Sequence, residues 1–247
     1  MMESPSVDNG MGKRHPVLIK SKHRVQKHGE VFTPQWVIDK MISIPGIKEK
    51  AKDIFATFLE PSAGEGAFLL AIEKMKLQFI MDNYSKNKWD RFALWALSSI
   101  YGIELLKDNL TAARQNMLDL FLDYRESVYN AGVSESSNLY KSAKTIIWAN
   151  IVQGDALTYK NKLGEYITFS HWKKVPDTFH KVQRIPFTYS SLHTENKEIN
   201  RGTQLSMFET EKQLSILPAI DDAKKDVPQR YAIVDIELVW REEKEDG

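Results

Sequence analysis

Three observations predict a doubly wound parallel α/β sheet over residues 28 to 157, preceded by a basic, helical N-terminal arm and followed by extra C-terminal strands. Short apolar runs alternate with longer amphipathic ones in the order β-α-β-α-β, the pattern of a parallel sheet covered on both faces. A glycine pair, Gly64 and Gly66, stands at the first strand-to-helix turn. An acid follows each of the next two strands, Glu104 and Asp155.

Residues 1 to 12 are polar and expected to be disordered. Residues 13 to 28 carry Lys13, Arg14, Lys20, Lys22, Arg24 and Lys27, three histidines and no acid. Such a run is either a solvated arm or an arm that contacts phosphates with salt-sensitive affinity. Thr33 reads as an N-cap and Pro34 as the first residue of a helix holding Trp36, Val37, Met41 and Ile42, which Pro45-Gly46 ends. Phe55 to Leu59 reads as a buried strand, and the glycine turn leads into a helix with Phe68, Leu69, Ile72 and Met75. After a polar break from Asp82 to Asp90, residues 91 to 99 suit a second helix and Ile100 to Leu105 a second strand. Lys107 to Tyr129 is a long amphipathic helix, and Thr145 to Val152 reads as the third strand, stopping at Gly154-Asp155.

Beyond residue 160 the texture changes. Tyr166 to Trp172, Val182 to Tyr189 and Tyr231 to Trp240 read as strands, with a polar loop from His193 to Glu211. The division is therefore an arm (1–28), a main domain (29–192), a polar loop (193–229), and a terminal strand of the same domain with a charged tail (230–247).

Composition narrows the function. Hydrophobic residues make up 42% and charged residues 27%, enough for a folded core. The net charge is only +1, so attraction to nucleic acid must come from local clusters such as the arm. With no cysteine, disulfide scaffolds, zinc fingers and iron–sulfur sites are excluded, and no metal is expected. The first residues lack a secretory pattern and no run reaches the ~18 apolar residues of a membrane span, so a cytoplasmic protein is expected.

Ligands of doubly wound sheets bind at the carboxyl ends of the strands. There, Glu60-Pro61-Ser62-Ala63-Gly64-Glu65-Gly66 is a turn whose glycines let a ligand approach the backbone and whose following helix offers free N–H groups. Glu104 has the position of an acid that accepts both hydroxyls of a ribose. Asp155 suits an exocyclic amine such as that of adenine.

These segments resemble the S-adenosylmethionine-dependent amino-group DNA methyltransferases, particularly the adenine-modifying, restriction–modification type in which the glycine motif precedes the catalytic one. The matching stretches are Gly-Glu-Val-Phe-Thr-Pro, Leu-Glu-Pro-Ser-Ala-Gly-Glu-Gly-Ala-Phe-Leu, Tyr-Gly-Ile-Glu-Leu and Asn-Ile-Val-Gln-Gly-Asp-Ala-Leu, and the likeness covers about half of the chain. It implies a Rossmann-like fold with S-adenosylmethionine as cofactor. Phe32, Thr33 and Pro34 would border the methionine moiety, and Glu60, Ser62, Ala63, Gly64 and Gly66 would line the pocket. Glu104 would hold the ribose, and Asp155 with Ala156 would meet the adenine.

The family's catalytic tetrapeptide, an Asn or Asp, two prolines and an aromatic, is missing from the sequence. Those residues would accept from the target amine and stack the flipped base. In the expected region stands Ser170-His171-Trp172-Lys173, and further on Arg184-Ile185-Pro186-Phe187. Either is a diverged catalytic loop, with His171 as a polar contact and Trp172 or Phe187 as a stacking platform, or both are ordinary strand-end residues of a domain that does not perform the reaction alone.

The polar loop holds Gln204-Leu205-Ser206-Met207-Phe208, which looks like the peptide by which bacterial replication and repair proteins bind the sliding clamp. Gln204, Leu205, Met207 and Phe208 would be its anchors; alternatively Leu205 and Phe208 tuck back onto the domain. The expectation is thus an S-adenosylmethionine-dependent DNA adenine N6-methyltransferase or methyltransferase subunit of a bacterial or phage modification system. Its partners would be DNA, a second methyltransferase or specificity chain, and the clamp. The alternative is a degenerate relative that binds cofactor, DNA or clamp in a recruiting or regulatory role.

Overall fold

A computed structural model of the chain describes residues 33–194 and 230–245, together with Gln26. The arm residues Lys13, Arg14, Lys20, Lys22, Arg24 and Lys27, the motif residue Phe32, and Gln204, Leu205, Met207 and Phe208 lie outside the described residues.

Helix α1 (Gln35–Ile42) and the short α2 (Ile47–Lys50) precede β1 (Phe58–Glu60). The N-cap of α1 is Pro34 and not Thr33: Pro34 is extended (ψ 149°), and its carbonyl accepts from the Val37 N–H at 2.9 Å. A proline has no side-chain oxygen to offer, so no side chain caps this helix.

Next come α3 (Ala67–Asn83), α4 (Trp89–Ser98), β2 (Ile100–Glu104), α5 (Lys107–Tyr129), α6 (Asn138–Asn150) and β3 (Ile151–Gln153). The third strand is shorter than its apolar run suggests, because residues 145 to 150 are helical. Ser137 caps α6 by accepting from the Tyr140 N–H, and Leu139, Ala143, Ile146, Ile147 and Asn150 recur at helical spacing on its buried side. The β-branched run belongs to a helix face, and the strand follows without a loop.

β1, β2 and β3 pair in parallel in that order, Glu60 standing beside Gly102 and Glu104 beside Gln153. Alternation along the strands sends Phe58, Ile100 and Ile151 to one face, where they pack with α3, α4, α5 and α6 around Leu69, Leu94, Met117 and Ile147. Both crossovers step in the same direction, and right-handed connections therefore leave the helices on one side.

The other face is not covered by helices, contrary to the expectation for a doubly wound sheet. It carries Leu59, Tyr101, Ile103 and Val152, which pack on Ile167, Phe169, Phe187 and Tyr189. These belong to a second sheet of β4 (Thr168–Lys174), β5 (Lys181–Thr188) and β6 (Ile233–Asp235), antiparallel in the order β4-β5-β6 and preceded by Ile167. A single turn of helix, α7 (Ser191–Thr194), follows β5. The expected final strand to Trp240 stops at Asp235, whose carboxylate accepts from the Glu237 N–H and starts a 3-10 helix over Ile236–Arg241. The molecule is a mixed α/β structure with helices on one side of a three-stranded parallel sheet and an antiparallel sheet on the other. No described helix is long and apolar enough to cross a membrane.

Candidate functional site

The carboxyl ends of β1, β2 and β3 carry the acids and glycines singled out above. In the first turn, Glu60 folds back on its own loop, its Oε1 accepting from the Ser62 N–H at 3.0 Å. Burial raises the Glu60 carboxyl above its ordinary pKa. The Ala63 N–H donates to the Ile103 carbonyl at 2.9 Å, binding the turn to β2.

Gly64 and Gly66 both have positive φ, +56° and +91°, and do different work. A Cβ on Gly66 would press on Ala113 at 3.2 Å, so this glycine brings the start of α3 against α5. A Cβ on Gly64 would meet nothing within 4 Å. The backbone there faces open space, as a cradle for a ligand requires.

Glu104 joins the turns. Its Oε2 accepts from the Gly64 N–H at 2.7 Å and its Oε1 from the Leu106 N–H at 2.8 Å, in a site that leaves the residue buried. A carboxylate has about four lone-pair sites, so two remain for another donor pair such as vicinal hydroxyls. The third strand end is tied in by backbone, the Gly154 N–H donating to the Glu104 carbonyl at 3.1 Å. Beyond it, the Asp155 carboxylate accepts from the Leu157 N–H at 2.9 Å while its own N–H bonds to Lys160, which leaves Asp155 and Ala156 half-buried at the rim.

The structure therefore brings together Glu60, Ser62, Ala63, Gly64, Gly66, Glu104, Asp155 and Ala156. Exposed Thr33 and half-buried Pro34 open α1, which packs along α3, the helix that the glycine turn begins. These residues fit the cofactor named by the resemblance: acceptors for a ribose and an amine, an approachable glycine backbone and a helix N-terminus are all present.

His171 and Trp172 are elsewhere. Ser170 to Lys173 is not a strand end but the middle of β4, which starts beside Gly154 at the carboxyl ends and runs toward the amino ends. There the Trp172 Nε1–H donates at 3.0 Å to Asn150 Oδ1, the residue just before β3. Trp172 is buried, and burial with the nearby Lys173 charge pushes the His171 imidazole down to about 4. The second stretch is its ladder partner: Arg184 pairs with Trp172, Ile185 with His171 and Pro186 with Ser170. Arg184 bonds Ser170 Oγ at 2.8 Å and Glu242 at 2.6 Å, and Phe187 lies in the aromatic cluster under the sheet.

Several residues that hold this frame carry no sequence signal. Buried Asn150 accepts from Trp172 and donates to the Ser98 carbonyl at 3.1 Å. Buried Lys76 donates to the carbonyls of Asp53, Ile54 and Ala56 at 2.6 to 3.2 Å, anchoring the approach to β1. At Gly154 a Cβ would collide with the Ile167 side chain, so the bare glycine backbone makes room for Ile167 at the end of β3. Among the described residues no cluster of side chains is suited to a metal ion. Protein-family models, curated proteins and solved structures offer no match to this chain.

Proposed function

We propose that the chain is the S-adenosylmethionine-binding part of a DNA adenine N6-methyltransferase system, acting as a methyltransferase subunit. The observation that carries this reading is Glu104, buried at the end of β2 and bonded to the N–H of an open, left-handed Gly64 at the end of β1. On this reading the parallel strands are half of a Rossmann-like sheet.

Bound S-adenosylmethionine would supply an electrophilic methyl group on a sulfonium. Glu104 would take the ribose hydroxyls on its remaining lone pairs, and Asp155 with Ala156 would hold the adenine. Gly64 would admit the cofactor against the main chain. Thr33 and Pro34 would border its methionine end.

The place of β4 and β5 favours a subunit over a self-sufficient enzyme. Both stretches that stand in for the catalytic tetrapeptide are paired with each other in a ladder, and neither offers an Asn or Asp to a target amine. Losing such a preorganised group reduces turnover by about 10²–10³-fold. The test is transfer of a labelled methyl group to mixed-sequence DNA. Cofactor binding with turnover that slow, or with none until a second chain is added, is the expected result; fast transfer by the purified chain alone would overturn the subunit reading. DNA contacts by the arm from Lys13 to Lys27 and clamp contacts by Gln204 to Phe208 complete the proposal.

A further inference from the structure

A continuous row of aromatic rings lies at the amino ends of the parallel strands, at the opposite end of the sheet from Glu104. Tyr84, just after α3, is 4.3 Å from Phe92 of α4, centroid to centroid; Phe92 is 5.7 Å from Phe179, between β4 and β5; and Phe179 is 6.5 Å from Phe55, which precedes β1. Phe92 is buried beneath the row, whereas Tyr84, Phe55 and Phe179 are 36%, 41% and 49% exposed. We propose that this row binds single-stranded DNA, with unpaired bases stacking on Phe55, Phe179 and Tyr84 and the phosphates beside the lysines around them.

The rings are held in place before any ligand arrives. The Trp95 Nε1–H donates to the Phe179 carbonyl at 2.8 Å, and the Trp95 ring lies 5.6 Å from that of Phe55, so one buried indole anchors both. Side chains fixed in this way have little freedom left to lose on binding. Each of the three exposed rings keeps apolar surface in water, which a ligand with a flat apolar face would cover.

Charge says which ligand. Residues 52–55, 82–88 and 173–181, the segments around the exposed rings, carry six lysines, Lys52, Lys86, Lys88, Lys173, Lys174 and Lys181, against three acids, Asp53, Asp82 and Asp177, in a chain whose net charge is only +1. Lys174 stands over two of the rings, 5.7 Å from the Phe55 centroid and 4.5 Å from that of Phe179. Positive charge set among open aromatic faces suits a polyanion that itself carries flat rings, which is a nucleic acid. A duplex keeps the faces of its bases inside its own stack, so the rings select a single strand. An apolar protein surface laid on the row would have to bury the Lys174 charge, which costs free energy that a phosphate offsets. That the strand is DNA rests on the function proposed above; the rings and lysines meet only bases and phosphates.

The test follows a short labelled oligothymidylate by fluorescence anisotropy as the full chain is added, and repeats the titration with the corresponding duplex, with an oligouridylate of the same length and with heparin, a polyanion without bases. No cofactor is present, so a failure to bind S-adenosylmethionine does not bear on the result. Phe179→Ala, at an exposed position between two strands, should weaken oligothymidylate binding about tenfold, the worth of one stacked base, and leave the affinities for duplex and heparin unchanged. Lys174→Gln, which keeps the rings, should flatten the dependence of log K on log salt by about 0.7, the share of one phosphate on a single strand. No binding of oligothymidylate at low salt, normal affinity in Phe179→Ala with an unchanged salt slope in Lys174→Gln, or a Phe179→Ala loss shared equally by duplex or heparin would overturn the proposal. An oligouridylate that binds more tightly, with the same loss in Phe179→Ala, would contradict the assignment to DNA and the function on which it rests while keeping the stacking row. If Phe179→Ala separates a dimer in sedimentation and leaves oligothymidylate affinity intact, the row is a protein contact and the proposal fails.

Discussion

Glu104 accepts N–H groups from two different turns, and Gly64 supplies one of them with its own backbone in the left-handed region. The pair can be tested from the glycine side. Gly64→Val strains a φ of +56° by about 1–2 kcal/mol and places a branched side chain in the open space over the turn. A folded protein with a modest drop in melting temperature and no measurable affinity for S-adenosylmethionine is expected from calorimetry; normal affinity would remove Gly64 from the site. Buried Glu73 makes a different prediction. Both its oxygens are enclosed without a hydrogen-bond partner, and burial raises its carboxyl well above the ordinary 4.5. The folded state then holds a proton that the unfolded chain has released, so stability falls as pH rises from about 4.5 toward the folded pKa, by about 1.4 kcal/mol per pH unit. Glu73→Gln should flatten that slope and stabilise the protein at neutral pH, as denaturant melts across pH will show. Glu104 and Gly64 are legible in the sequence because a turn and a strand end are local. Glu73, Lys76 and Asn150 are not, since one polar residue in an amphipathic run does not say which face it takes.

At the scale of elements, strands and helices read well where one periodicity rules and poorly where two compete. Lys107–Tyr129 is legible in full from its helical period. Thr145 to Asn150 looks like a strand because β-branched residues crowd there, yet the Ser137 cap and the apolar spacing from Leu139 make it the end of α6. The more consequential shift is in β4. A diverged catalytic loop at Ser170 to Lys173 would free His171 and Trp172 for a target base, whereas the ladder with β5 runs on to Lys174 and puts the indole in the core. Trp172→Ala should therefore cost about 3–5 kcal/mol of stability, as large core truncations do, and leave affinity for S-adenosylmethionine unchanged in the protein that remains folded. A stable variant with a specific defect in methyl transfer would return Trp172 to the reaction.

The molecule as a whole has two ends. Acids and glycines gather at the carboxyl ends of the parallel strands, and hydroxyls and aromatic rings at the amino ends. The α/β class is legible in the repeating strand–helix order. The covering of the second face is not, because alternation in a strand marks it as half-buried without saying whether a helix or a sheet lies upon it. Charge adds a prediction at this scale: with a net charge of only +1, any attraction to DNA has to come from local clusters, and the proposal assigns it to the basic run from Lys13 to His28. Deleting residues 1 to 28 should weaken DNA binding and flatten the dependence of log K on log salt by about 0.9 for each phosphate that the arm would neutralise; an unchanged slope would show that the run is merely solvated. The central claim, a cofactor seated on Glu104, is tested most directly by calorimetric titration of S-adenosylmethionine into the native protein and into Glu104→Ala. The account predicts one site in the native protein and at least a tenfold weaker affinity in the variant, the worth of charge-assisted hydrogen bonds of about 1.5–3 kcal/mol. No binding to the native protein, or equal binding to a folded Glu104→Ala protein, would contradict it.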